Sequence, residues 1–277
     1  MHKKCLCVVS SKEYYIQTKH AIQSALDHNK DYRVILVSDG IETNLADIHL
    51  SPEELGIDRN IINKSTGGPL WLVVCRPAII KYALEKLNFD YSVFIDGDTY
   101  TYNSYTALEK CLIDGFSAVV TPHITKPIPN DGLNPSMQTI AQAGNYNSGI
   151  FAFSAKCKNF IEWWDYQTRK LPYVSVENGL AAEQGWLRFI GDFEDDVKIF
   201  RSPAYNVAYW NIAQRNFKII NNEYYVDNEK LVVFHYSGFN DKISIENLSK
   251  HQNRYKLSPS GDSYKLFYEY KKKVWGA

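Results

Sequence analysis

Two continuous apolar runs with a helix-spaced segment between them limit the architecture of this chain more than any other feature. "KCLCVVS" (Lys4 to Ser10) and "YRVILVSDG" (ending at Asp39-Gly40) are hydrophobic without alternation. Strands covered on both faces need that pattern, and parallel sheets supply the setting. Between them, Tyr15, Ile16, Ala21, Ile22, Ala25 and Leu26 recur at helical spacing. Strand, helix, strand in that order predicts an α/β fold with a mostly parallel central sheet flanked by helices.

The same logic continues downstream. "RPAIIKYALEKL" (Arg76 to Leu87) reads as a helix with Pro77 in its first turn. It feeds a strand over Tyr91 to Ile95, a helix near Ser104 to Ile113 and a strand in "FSAVVTP". Pro122 to Tyr146 is rich in Pro, Gly and Asn and reads as one long loop, a candidate lid. "YNSGIFAFS" resumes a strand, "CKNFIEWWDYQTRKL" and "AAEQGWLRFI" read as helices, and "SYKLFYEYKKKVW" as an amphipathic basic-aromatic helix. No repeat or linker divides the 277 residues, which suit one domain with C-terminal elaborations.

Composition excludes several classes. Lys plus Arg equals Asp plus Glu at 31 each, so the electrostatic affinity on which nucleic-acid binders depend is missing. The 20 Tyr and 6 Trp offer stacking faces with hydrogen-bonding tips, suited to sugars or bases as well as to cores. Cys5, Cys7, Cys75, Cys111 and Cys157 are scattered and odd in number, which points to reduced thiols in a cytoplasmic protein. Cys5 and Cys7 share a strand face with no second Cys or His pair to complete a zinc site. No run approaches the roughly 18 apolar residues of a membrane span, and the N-terminal apolar run is too short for a signal peptide.

The chemistry concentrates in "YSVFIDGDTY" (Tyr91 to Tyr100). A buried strand delivers Asp96 and Asp98 to the carboxyl edge of the sheet, where open α/β folds bind ligands. Two carboxylates one residue apart repel unless a cation sits beside them, so a divalent metal is the natural partner. Two reactions use such a turn. A haloacid-dehalogenase-like phosphatase would use Asp96 as nucleophile, with Thr99 in place and "GDFEDD" (Gly191 to Asp196) as its distal acidic motif. Against it, the strand-helix-strand-helix segment before Asp96 would have no role. Glycosyl transfer from a nucleotide-sugar needs a cation to neutralise the leaving diphosphate. A non-catalytic carbohydrate-binding protein would explain the aromatics but not the paired carboxylates.

"VFIDGDTY", "NYNSGIFAFS", "AAEQGWLRF" and "VVFHYSG", in that order, make the chain similar to the glycogenin-like, family 8-like retaining glycosyltransferases. It more closely resembles bacterial members that build lipopolysaccharide or capsule. The resemblance spans about Lys4 to Lys242. It implies a GT-A fold, Mn²⁺ with Mg²⁺ as the alternative, a UDP-sugar donor and a carbohydrate or lipid-linked saccharide acceptor. It also implies a nucleotide-binding half over about 1–120 and a sugar and acceptor half over about 121–277.

By the same resemblance, Asp96 and Asp98 (with Gly97 between them) and His235 would be the metal ligands. Val9, Ser10, Ser11 and Tyr15 would form the nucleotide pocket, with Tyr15 on uracil. Arg76 and Lys81 would reach the diphosphate or the acidic turn. Asn147, Ser148 and Gly149 match the sugar-binding turn, with Gly149 admitting the sugar. Glu183 would hold sugar hydroxyls, and Gln184 would face the side opposite the leaving group. The family pattern His-x-x-Gly-x-x-Lys is met by His235 and Gly238, but Asp241 occupies the lysine position and Lys242 follows it. Lys242, Lys81, Lys250 or Arg254 would fill that role. The C-terminal helix suggests peripheral docking on the inner membrane face through Lys271, Lys272 and Lys273.

Overall fold

The computed structural model describes residues 2–60, 62, 69–175 and 178–276. In chain order they form β1 (Lys4–Ser10), α1 (Tyr15–His28), β2 (Arg33–Ser38), β3 (Ile48–Leu50), α2 (Trp71–Glu85), β4 (Tyr91–Ile95) and β5 (Thr99–Thr101). Next come α3 (Thr106–Ile113), β6 (Ala118–Pro122), α4 (Met137–Ala143), β7 (Tyr146–Ser154), α5 (Lys158–Lys170), β8 (Val174–Ser175) and β9 (Leu180–Ala181). The remainder is α6 (Ala182–Trp186), α7 (Ile190–Phe193), β10 (Val197–Ile199), β11 (Phe217–Ile220), β12 (Glu223–Val226), β13 (Glu229–Lys230), β14 (Val233–His235) and α8 (Asp262–Trp275).

Seven strands form the central sheet in the order β10-β6-β7-β4-β1-β2-β3. Only β7 runs against its neighbours; β3, β2, β1, β4, β6 and β10 share one direction. Strands from both sides of residue 120 therefore belong to one sheet. Successive side chains of β1 explain its continuous hydrophobicity. Cys5, Cys7 and Val9 pack with α2 and α5 on one face, while Leu6 and Val8 pack with α1 and α3 on the other. All five cysteines are unpaired and buried. A third apolar cluster joins Phe234, Tyr236 and Phe239 to Leu266, Phe267 and Tyr270 of α8.

Three elements depart from the sequence reading. The helix expected to begin at Arg76 begins at Trp71, because Trp71, Val74 and Cys75 bury against the sheet and extend it backwards. Pro77 consequently sits in the helix interior, where it cannot donate to the carbonyl one turn earlier. The long loop expected over 122–146 contains α4, started by Ser136 and Thr139, whose side chains each bond the other's backbone N–H. The segment before it is clasped rather than loose. Arg254 bonds both oxygens of Asp131 at 2.6 and 2.7 Å and the carbonyls of Pro129, Leu133 and Pro135.

The C-terminal helix turns its aromatic face inward. Lys273 bonds the hydroxyl of Tyr100 at 2.7 Å and Lys271 reaches the carbonyl of Ile243, while Lys272 and Lys273 are both exposed. No described helix is long and apolar enough to cross a membrane.

Candidate functional site

The acidic turn is built by backbone bonds on three sides. Thr99 closes it, donating from both its N–H and its hydroxyl to the carbonyl of Asp96. The N–H of Asp96 donates to Gly149 of β7, and the N–H of Tyr236 donates to Asp98. Pairing of β14 with β5 sets His235 opposite Thr99. Residues 137 positions apart are thereby brought together: Nε2 of His235 lies 3.0 Å from Asp98 Oδ1 and 3.7 Å from Asp96 Oδ2. One ligand atom from each of the three lies within 4.8 Å of the others. Two carboxylate oxygens and an imidazole nitrogen form a donor set suited to a divalent ion such as Mn²⁺.

Two glycines make this packing possible. A β-carbon on Gly97 would stand 2.3 Å from the hydroxyl of Thr18, so α1 crosses directly over the turn. One on Gly149 would stand 2.3 Å from two ring atoms of His235. At Gly149 the missing side chain leaves the room that the imidazole occupies.

Electrostatics couples the turn to α6. Arg76 bonds Asp96 Oδ1 at 2.6 Å, Ser148 Oγ at 2.7 Å and Glu183 Oε1 at 2.5 Å. Burial alone would lower the guanidinium's pKa, but the two carboxylates raise it. Burial pushes Asp96 up to about 6 against the pull of Arg76 and His235. Burial would also raise Asp98, yet the adjacent His235 holds it below its ordinary value. For His235 burial works downward, and Asp98 followed by Asp96 overcomes it and raises the ring.

A cavity of about 490 Å³ opens beside this cluster. Val9, Ser10 and Ser11, at the carboxyl end of β1, line it with Tyr14 and Gln17, as do Pro69, Leu70, Leu72 and Val73. Arg76, Asp96, Gly97, Asp98, His235, Gly238, Asn147 and Gln184 also line it. Several predicted residues stand elsewhere. Tyr15 packs into the apolar cluster on the α1 face, and its neighbour Tyr14 faces the cavity instead. Lys81 and Lys242 do not line it; Lys250 and His251 do. Arg254 is consumed by the 129–135 clasp. Glu183, expected on sugar hydroxyls, lies 1% exposed beneath the floor, held by Arg76 and the hydroxyl of Ser148. Gln184 accepts from Asn147 and from the N–H of Ser148, and donates to the carbonyl of Ala143.

The acidic stretch Gly191 to Asp196 is remote from Asp96. It precedes β10, and β10, β6 and β4 run in one direction, so it lies at the sheet edge opposite the turn. There the carbonyl of Asp196 accepts from Ser117 N–H, and Glu194 accepts from Phe160 N–H at the start of α5. A phosphatase site joining the two acidic motifs is excluded by this separation.

Sequence reasoning missed His123, Asn206 and Trp210. Trp210 stands edge-on to both His123 and His235, with ring centroids 5.3 and 5.2 Å away. Both His123 and Asn206 are buried around Asn147. Neither "TPHITKP" around His123 nor "PAYNVAYWN" around Asn206 and Trp210 carries a periodicity that would have flagged them.

Sheet order, reversed β7 and the Asp-Gly-Asp turn at the carboxyl edge together define the GT-A type fold of nucleotide-diphospho-sugar transferases. Comparison with solved structures agrees. The chain is similar to the glycosyltransferase GlyE of Streptococcus pneumoniae TIGR4, at 15% identity and TM-score 0.52, over 98% of this chain and 60% of that one. It is similar to the galactosyltransferase LgtC, in complex with donor and acceptor sugar analogs, at 14% identity and TM-score 0.53, over 95% and 94% of the two chains. Mouse xyloside xylosyltransferase 1 aligns at 11% identity and TM-score 0.50, over 84% and 97%. No family model matches the sequence. An uncharacterized Bacillus subtilis (strain 168) protein, YfnF, is 25% identical over 99 residues, 35% of this chain and 33% of its own length.

Proposed function

We propose that this chain is a metal-dependent glycosyltransferase that moves a hexose-type sugar from a UDP-sugar to an acceptor hydroxyl, with retention of configuration. The observation that carries the reading is the convergence of Asp96, Asp98 and His235 on the cavity that begins at the end of β1. Those three side chains would hold Mn²⁺ or Mg²⁺. The ion would supply positive charge to the departing nucleoside diphosphate.

The chain's own residues supply the rest. Val9 to Ser11 and Gln17 offer polar and backbone groups to the nucleoside, with Tyr14 as the available stacking face. Lys250, beside His251 on the opposite lip, takes the diphosphate role left open by Asp241. Asn147 and Gln184 face the sugar. In the transfer, the sugar's C1–O bond to diphosphate breaks and a C1–O bond to the acceptor forms. The acceptor proton passes to the departing phosphate oxygen. Glu183, the nearby carboxylate, is locked under Arg76 and Ser148, which supports same-face substitution over a covalent sugar-enzyme intermediate. The acceptor is a carbohydrate or lipid-linked saccharide of surface polysaccharide synthesis, and the reaction is cytoplasmic.

Thermal shift with a panel of nucleotide-sugars, with and without Mn²⁺, tests the reading. UDP-sugars should raise the melting temperature only when Mn²⁺ is present, and Asp98→Ala should remove the effect. Stabilisation that is indifferent to chelator, or absent for every UDP-sugar, would reject it.

A further inference from the structure

We propose that Asn206 is a positioning residue that decides which nitrogen of His235 is presented to a metal ion. The proposal rests on the metal-site reading above and adds a residue that neither the acidic turn nor the cavity lining includes. Its basis is a chain of hydrogen bonds with only one consistent direction.

The chain starts at a backbone carbonyl. Thr121 donates its hydroxyl hydrogen to the carbonyl of Ile150 at 3.1 Å. A hydroxyl has one hydrogen, so toward Asn206 its oxygen accepts, and the Asn206 amide nitrogen lies 2.8 Å away. Independently, the N–H of Gly149 donates to Asn147 Oδ1 at 2.8 Å, which fixes the orientation of that amide. Asn206 Nδ2 donates its second hydrogen to the same oxygen at 3.0 Å.

Both hydrogens of the Asn206 amide are thus spent, and its oxygen faces Nδ1 of His235 at 3.3 Å. An oxygen there requires Nδ1 to carry the ring hydrogen. With Nδ1 committed to Asn206, Nε2 is the nitrogen that faces Asp98 and Asp96, and it is the one that can give up its hydrogen and offer a lone pair when an ion binds. Turning the Asn206 amide over would set its oxygen against two other oxygens. Asn206 is fully buried, so no solvent relieves that alternative. Its backbone is pinned as well. It adopts a positive φ of 50°, which Asn tolerates, and its carbonyl accepts from Asn211 Nδ2 at 3.1 Å.

The experiment is Mn²⁺ titration of the purified protein, with free ion read by electron paramagnetic resonance and no turnover involved. Asn206→Ala should weaken Mn²⁺ about 10–100-fold, the usual effect of removing the partner of a ligating histidine. Asn206→Asp keeps an oxygen on Nδ1 but loses both donated hydrogens and sets a carboxylate against Asn147 Oδ1. It should melt lower than Asn206→Ala yet bind Mn²⁺ more tightly than it. A merely structural role gives the opposite ranking. Equal affinity of Asn206→Ala and wild type, or Asn206→Asp no tighter than Asn206→Ala, overturns the proposal. Should the variants not fold, ¹⁵N-histidine spectra of the wild type with diamagnetic Mg²⁺ read the tautomer directly. Hydrogen on Nδ1 of His235 supports the proposal and hydrogen on Nε2 overturns it. Absence of Mn²⁺ binding by the wild type, or its survival in Asp98→Asn, rejects the metal reading itself and this proposal with it.

Discussion

At the scale of single residues, the cluster depends on close approaches that leave no room for error. Gly149→Ala places a methyl 2.3 Å from the His235 ring and 2.7 Å from Asn147 Oδ1. Overpacking of this kind costs about 1–3 kcal/mol, and the displaced ring should lower Mn²⁺ affinity at least roughly tenfold, as loss of ligand support does. Thermal denaturation and metal titration of the same variant check both halves; unchanged affinity would mean that the ring does not need its present seat. Asp96 and Asp98 were legible in sequence because a carboxylate pair after an apolar strand is chemically conspicuous, whereas His235 was reached only through the resemblance carried by "VVFHYSG". Asn206 was not, since an amide becomes informative only when its neighbours fix which end is oxygen. Tyr15 misled because sequence cannot say which of two adjacent tyrosines turns inward at the start of a helix.

At the scale of elements, the central strands were legible because both of their faces are buried, while the short, partly buried edge strands β3 and β10 were not. β1, β4 and β7 fall where the apolar runs in the sequence begin and end. Helix ends were less so. Trp71 to Cys75 extend α2 through contacts with distant strands, which local spacing does not encode. α4 was hidden inside a Pro-rich stretch whose start depends on the reciprocal Ser136–Thr139 bonds. The clasp on residues 129–135 was equally invisible, being made by a residue more than a hundred positions later. Arg254→Ala removes all of its bonds at once. Amides of 130–134 should then exchange with deuterium at least about tenfold faster, a change that corresponds to roughly 1.4 kcal/mol of local stability. Exchange unchanged by the substitution would show that the segment holds itself.

At the scale of the whole molecule, two buried groups set opposing responses to acid. Burial pushes His123 down to about 4, so an unfolded chain takes up a proton near 6.5 that the native state refuses. Its contribution to stability is complete above pH 6.5 and drains away by about 3 kcal/mol as the pH falls toward 4. Asp96, raised to about 6, has the other sign: the native state protonates first and gains stability as the pH falls below 6. The wild-type profile should be flatter than either group alone would make it. His123→Gln removes this opposing contribution and leaves that of Asp96 in place. Between pH 7 and 4.5, in chelator, the variant should gain about 2 kcal/mol relative to wild type, read by urea denaturation. Parallel profiles would show that native His123 titrates normally.

The ligating atoms and cavity walls come from positions as far apart as Val9 and His251. A chain emerging from the ribosome folds from its N-terminus onward. It can therefore lay down β1, α1 and the acidic turn long before the imidazole that completes the grip has been synthesised. Throughout that interval Asp96 and Asp98 would wait with Arg76 as their nearest counter-charge, and a nascent fragment lacking β14 would hold only two of the three side chains that the proposed metal site needs.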